Sequence, residues 1–214
     1  MTATNSLDPR LTGLESKHQP LTSTDMPFPK RMTCLRRGAF GLSLGPVLLL
    51  LLPGCVGLPD GARPVENFQL QRYLGQWHEI ARLDHSFERG LSRVTATYSL
   101  RDDGGVRVVN RGYSEKDRTW KEAEGRAYFV DAPDQGYLKV AFFGPFYGSY
   151  VILELDHENY QYAVVCGPNR NFLWILARTP EIAPELRDRL VAKAAALGFE
   201  TDKLIFVDNR EPAP

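Results

Sequence analysis

Side chains able to attack, ligate or move a proton are few in this 214-residue chain, and they fall into few usable patterns. The three cysteines, Cys34, Cys55 and Cys166, are too few for a disulfide framework. The four histidines, His18, His78, His85 and His157, are scattered, and no pair has the spacing of metal ligands. No phosphate-binding glycine loop and no nucleophile elbow occurs. No cofactor is therefore expected. Cys166 closes the short apolar run Tyr162–Cys166 and has two readings, a small buried hydrophobe or a reactive thiol. His85 sits in a loop of its own, with no obvious pairing to that thiol. The 26 basic and 26 acidic side chains cancel, so charge gives no reason to expect a nucleic-acid partner.

Those totals mix two unlike parts. Residues 1–25 are rich in Ser, Thr and Pro and carry no aromatic residue. Lys30-Arg31 and Arg36-Arg37 then precede an apolar run of 14 residues, Ala39 to Leu52. A bilayer span needs about 20 apolar residues, so a basic region followed by this shorter run reads as an export signal. A start at Met26 or Met32 would give such a signal its ordinary length, which leaves 1–25 as an extension. The run ends in Leu52-Pro53-Gly54-Cys55, which resembles the bacterial lipobox, with Pro53 an unusual choice at its position. The resemblance implies that Cys55 takes a thioether-linked diacylglycerol and, after cleavage, an amide-linked acyl chain. Val56, in place of an Asp, points by the sorting pattern of such lipoproteins to the outer membrane. Each acyl CH₂ contributes about 0.8 kcal/mol on burial, so three chains anchor permanently where one holds marginally.

This reading divides the chain into a leader (1–54), a lipidated tether (55–66), a folded domain (67–208) and a tail (209–214). The leader removes six basic and three acidic side chains, leaving 160 residues with a formal charge of −3. The Gly/Pro-rich stretch Gly57–Pro64 suits a short tether.

The folded part must be built mainly of strands. Short apolar-alternating runs recur between turn signals: Gly75–Leu83, Val94–Leu100, Val106–Ser114, Thr119–Val130, Tyr137–Phe142, Tyr147–Leu155, Tyr162–Cys166 and Phe172–Arg178. Asp102-Asp103-Gly104-Gly105 is a tight hairpin turn. Eight antiparallel strands with regular turns predict an all-β up-and-down barrel, which leaves no exposed edge. One C-terminal helix follows, with Pro184 at its first position, an apolar stripe of Leu186, Leu190, Ala194 and Leu197, and Gly198 as its stop. Leu204–Val207 reads as a ninth short strand.

Several motifs now occur in order. They are Tyr73-Leu74-Gly75-Gln76-Trp77-His78-Glu79-Ile80-Ala81-Arg82, Phe87-Glu88-Arg89-Gly90, Ala96-Thr97-Tyr98-Ser99-Leu100, Phe142-Phe143-Gly144-Pro145-Phe146-Tyr147-Gly148 and Trp174-Ile175-Leu176-Ala177-Arg178. With a lipobox in front of them, they resemble the bacterial lipocalins of the outer-membrane lipoprotein (Blc) type over essentially all of 65–208. The usual middle motif of lipocalins is only loosely present, around Asp156 to Tyr162. The resemblance implies that Gly75, Trp77 and Arg178 form the structural base of the barrel, Arg178 packing on the Trp77 indole as a cation–π contact.

With Trp77 at the base, the loops 84–92, 115–118, 143–146 and 167–171 lie at the open end. That end carries Phe87, Phe143, Phe146 and Tyr147, and also His85, Glu88, Arg89, Lys116, Arg118 and Arg170. Alternation predicts two inward sets: Val94, Ala96, Tyr98 and Leu100, and Val106, Val108, Asn110 and Gly112. The candidate ligand contacts are Phe87, Tyr98, Asn110, Phe143, Phe146 and Tyr147. Such a lining suits one elongated apolar molecule, and transfer of a sixteen-carbon chain gains about 10 kcal/mol before ligand freedom is lost. The resemblance implies a membrane-anchored carrier of fatty acids or lysophospholipids, without catalysis, and allows a homodimer. The alternative is a barrel enzyme acting on a lipophilic substrate through Cys166.

Overall fold

The computed structural model describes residues 56–210. The leader, Cys55 and the end of the tail lie outside the described residues. The expected architecture is observed. The strands are β1 (Gly75–Arg82), β2 (Leu91–Leu100), β3 (Val106–Ser114), β4 (Thr119–Phe129), β5 (Tyr137–Ala141), β6 (Gly148–Leu155), β7 (Tyr162–Cys166) and β8 (Leu173–Ala177). Each pairs antiparallel with the next, and β1 pairs with both β8 and β2, which closes the barrel. A short helix, α1 (Leu70–Tyr73), enters at the base. Four residues are too short for a periodic signal, and the sequence reading passed over it.

The C-terminal helix, α2 (Pro184–Ala196), packs on the outside through Leu190 and Ala194, with Pro184 in its first turn and Gly198 after it in the left-handed region (φ 84°). After a 3₁₀ turn at Thr201–Lys203, the two-residue β9 (Ile205–Phe206) pairs with Ala81 and Arg82. There β1 has left its pairing with β2. At the same end, residues 119–125 of β4 pair with β3 alone, since the β4–β5 ladder covers only Arg126–Phe129. Lys121, Glu122 and Glu124 are exposed along this stretch, where charge discourages edge-to-edge pairing.

Two apolar clusters result, one on each side of the wall. The inner one holds Trp77, Tyr98, Val106, Val108, Ile152, Val165 and Leu176. The outer one lies between the wall and α2 and holds Val151, Val164, Cys166, Ile175, Leu190 and Ala194. A register shift between Glu79 and Ala81 changes which side chains of β1 face inward. Glu79 stands opposite Leu176 of the inner cluster, and Arg82 stands opposite Trp174, which packs against that cluster. Glu79 and Arg82 therefore both face the bore. The tether runs from the open end towards the base along β6, with Val65 N–H donating to Ile152 O at 2.9 Å.

Candidate functional site

The site is a bore with a sealed floor. Gly75 begins β1 at φ 94°, a conformation that suits glycine, and a Cβ there would lie 3.4 Å from Arg178 Nη1. The chain then lays Trp77, fully buried, across the base. Its Nε1–H donates to Tyr73 O at 2.8 Å. The Arg178 guanidinium stands 4.0 Å from the ring centroid and donates to the carbonyls of Arg72 (2.7 Å), Gln76 (2.9 Å) and Tyr160 (3.2 Å). Above the plug, the Tyr73 and Tyr98 hydroxyls each lie 2.7 Å from the Tyr150 hydroxyl. Burial pushes all three phenols above their ordinary value, so the trio stays neutral.

The wall above this floor is apolar and incompletely covered. Ala96, Val140, Phe142 and Trp174 pack on the inner cluster yet are only partly buried. Asn110 is on the same wall, and its Oδ1 is buried without a hydrogen-bond partner.

Near the mouth the bore holds buried charges. Arg82, 1% exposed, donates through Nη1 to Glu79 Oε1 (2.6 Å) and through Nη2 to Glu88 O (2.9 Å) and Leu91 O (3.2 Å). Trp174 Nε1–H donates to Glu88 Oε2 at 3.0 Å. His85 Nε2 stands 3.2 Å from the same oxygen, outside hydrogen-bond geometry, and its ring stacks on Phe87 at 4.0 Å. One cation needs one carboxylate in a dry site. Burial and the neighbouring Glu88 charge raise the Glu79 carboxyl well above its usual range, against the pull of Arg82. Burial also acts to raise Glu88, but His85, Trp174 and Glu79 together hold it below its usual range. The two carboxyls are therefore driven in opposite directions, Glu79 up and Glu88 down. The cluster clips the loop Leu83–Gly90 onto the wall.

A family model for a lipocalin-like domain matches residues 68–209. The outer membrane lipoprotein Blc of Vibrio cholerae serotype O1 is 57% identical over 161 residues, which are 75% of this chain and 94% of that one. The chain belongs to the lipocalin family, as a bacterial lipocalin of the Blc type. Escherichia coli K12 has a similar Blc lipoprotein, 55% identical over 151 residues, 71% of this chain and 85% of that one. The fold is shared with insecticyanin of the tobacco hornworm Manduca sexta, at a TM-score of 0.57, 24% identity and 72% and 88% coverage of the two chains.

Within this lipocalin, the residues expected to meet a ligand separate into three groups. Tyr98 and Asn110 face the bore, the first at its floor. Phe87, Phe143 and Phe146 sit on the rim, 55%, 65% and 80% exposed. Tyr147 is turned away: its hydroxyl accepts from Arg126 Nε at 2.9 Å, and Lys139 Nζ stands 5.3 Å from its ring centroid, both on the outer wall. Leu100, expected inside, is 51% exposed at the basal end of β2. Cys166 is not a barrel thiol. It is fully buried in the outer cluster with α2, and burial pushes its thiol up to about 12, so it is no thiolate at neutral pH.

Glu79 and Arg82 are not among the sequence candidates, and His85 and Glu88 are placed there at the open end without their burial or their link to Arg82. A signal existed. Glu79 is two residues after Trp77, on the same face of β1 as that buried ring.

Proposed function

We propose that this lipocalin is an outer-membrane lipoprotein, lipidated at Cys55, that carries one fatty acid or lysophospholipid in its bore and catalyses no reaction. In this reading 1–54 is a leader, 55–66 a tether, 67–208 the carrier domain and 209–214 a tail. The observation that carries the reading is the pairing of a sealed floor with a wall whose apolar side chains are only partly covered by the protein itself. Ala96, Val140, Phe142 and Trp174 would take the acyl chain, with Tyr98 and Asn110 offering polar contacts along it. The likeness to the Blc lipoproteins of V. cholerae and E. coli supports the outer-membrane location and the anchor. An apolar ligand that slides into such a bore gains transfer energy with little need for a strong polar grip.

The test is native mass spectrometry of the protein extracted from its own membrane. The expected species begins at Cys55, carries diacylglycerol and an amide-linked acyl group, and holds one fatty acid or lysophospholipid. An unmodified Cys55 removes the anchor. Protein with no co-purifying lipid, and none taken up on titration with palmitate or lysophosphatidylethanolamine, ends the carrier reading.

A further inference from the structure

The barrel wall is not laddered evenly all the way round. β2 pairs with β3 from Leu91 to Leu100, but the β1–β2 ladder covers only residues 75–78 of β1. Beyond His78 the two strands are joined by stitches that belong to no ladder. On the outside the tail that follows β9 joins them. On the β1 side, Val207 N–H donates to Ile80 O at 3.0 Å and Asn209 Nδ2 to Glu79 O at 2.8 Å. On the β2 side, Arg93 N–H donates to Asp208 O at 2.9 Å and Arg93 Nη1 to Arg210 O at 3.3 Å. On the inside, Arg82 Nη2 crosses from β1 to Leu91 O at 3.2 Å.

The tail rides on β1. β9 adds the pairs Ala81–Phe206 and Arg82–Ile205, and Asn209 Nδ2 also reaches Pro180 O at 3.0 Å. The buried ion pair of Arg82 with Glu79 lies within β1 as well. Parting β1 and its tail from β2 therefore breaks only the stitches at Arg93 and Leu91. The tail adds little apolar burial, since Ile205 and Phe206 are 38% and 54% exposed.

Two features lower the cost of parting. Arg82 Nε, Arg93 Nε and Asn209 Oδ1 all sit on this seam, buried and without a hydrogen-bond partner among the described residues. Each is desolvated while the seam is shut and can meet water once it parts. Arg93 also stands at φ 49°, a left-handed backbone for a residue with a side chain, at the register shift between Ser92 and Thr95. The bulge turns its N–H out of the β2–β3 ladder towards Asp208, and such strain persists only while the surroundings hold it.

We propose that the wall opens along this seam, and that the tail at residues 207–210 is the latch that sets how fast a lipid enters and leaves the bore. The proposal rests on the carrier reading. Glu79 and Arg82, on β1 beside the seam, face the bore, so a parted seam adds its gap to the bore's cross-section. The tail lies on the outer side of the wall and offers a bound chain no contact. It therefore acts on rates and leaves affinity in place.

The test uses the acylated full-length product in vesicles of phosphatidylethanolamine and phosphatidylglycerol, loaded with dibrominated stearate. Stearate in the bore quenches Trp174, whose signal is taken in each form as the part lost in Trp174→Phe. Albumin added outside withdraws the stearate, and recovery of the emission gives the release rate. A chain ending at Phe206 should release, and take up, stearate about tenfold faster, the weight of one or two hydrogen bonds, with the half-quenching concentration unchanged. Asn209→Ala, which loosens the tail and leaves its backbone bonds, should show the same change in smaller measure, and it decides the matter if the shortened chain does not fold. Amide exchange reads the seam directly: Arg93 and Val207 should exchange sooner than the amides of the β2–β3 ladder. Trp174 that is never quenched removes the carrier reading and the latch with it. Quenching with unchanged rates in Asn209→Ala and the shortened chain leaves the carrier standing and overturns the latch. Weaker binding at unchanged uptake makes the tail a structural support and also overturns it, as does equal protection of seam and ladder amides.

Discussion

At the base of the barrel Trp77 is fully buried, its N–H ends on Tyr73 O, and Arg178 spends its donors on three backbone carbonyls. At the mouth Phe143 and Phe146 stand in solvent, while a few residues away Arg82, Glu79 and Glu88 are sealed inside. The base therefore joins aromatic surface to neutral or backbone partners. The mouth puts aromatic surface outside and charge inside, the reverse of the usual distribution. The difference follows from what each end does. A permanent seal gains from maximal burial of fixed contacts. On the proposed carrier reading the rim needs accessible apolar surface to admit an apolar chain, and its loop is held instead by a short-range charge cluster.

Substitution at the base should break this contrast most severely. Trp77→Ala removes the largest buried side chain of the inner cluster and leaves Tyr73 O unpaired; the expected loss is about 3–5 kcal/mol, read from urea unfolding. A loss below about 1 kcal/mol, the level of an average substitution, would mean that the plug is dispensable. Arg178→Ala removes the cation–π contact and frees three carbonyls that water can partly reach, so about 2 kcal/mol is expected by the same measurement. Arg178→Lys should recover only a part of it, since one ammonium cannot reach all three acceptors in the planar fork's geometry.

The base was legible in the sequence and the mouth was only half legible, for one physical reason. Turn residues, period-two alternation and helical spacing are local, and they placed eight strands and the helix from Pro184, while the resemblance implied the plug at Gly75 and Trp77. A register shift is not local. The one in β1 decides that Glu79 and Arg82 both face the bore, and those in β2 (between Ser92 and Thr95) and β6 (between Ile152 and Glu154) bend the wall. Alternation carried straight along Val94–Leu100 sent Leu100 inside, whereas the strand there has run past the core into solvent. Of the two readings of Cys166 the buried hydrophobe is the one observed, and the partner that buries it, α2 covering β7 from outside, is a long-range contact that no spacing near residue 166 encodes.

The charge cluster at the mouth should respond to pH on both sides. The raised Glu79 carboxyl contributes stability that is complete below its unfolded pKa and is lost as pH rises through its folded value. The lowered Glu88 carboxyl contributes stability that is complete above its unfolded pKa and is lost as pH falls through its folded value. The mouth is thus firmest between the two. Glu79→Gln removes the titrating group and should abolish the decline that sets in as pH rises above the unfolded carboxyl value. Glu88→Gln should abolish the acid limb and cost about 1–3 kcal/mol at neutral pH, softened by ionisation of Glu79 in its place. Urea midpoints across pH, with Trp174 emission as the local reporter, distinguish these; a decline on the high-pH side of the maximum that survives in Glu79→Gln would show that another group is responsible.

The smallest effect is expected at the most exposed ring. Phe146 is 80% exposed, so Phe146→Ser removes almost no buried surface, and the change in unfolding free energy should stay within about 0.5 kcal/mol. The same substitution at Trp77 would be ruinous, although both are large aromatic side chains within one inner or outer layer of a single barrel. Urea unfolding of Phe146→Ser beside the parent protein measures this directly. A loss of 1 kcal/mol or more would mean that the ring is already buried in solution, against another part of the chain or another copy. A change near zero leaves Phe146 with no stabilising duty in the isolated fold. Retention of so large an exposed ring then has to be explained by what the rim touches, a partner that burial within the domain does not supply.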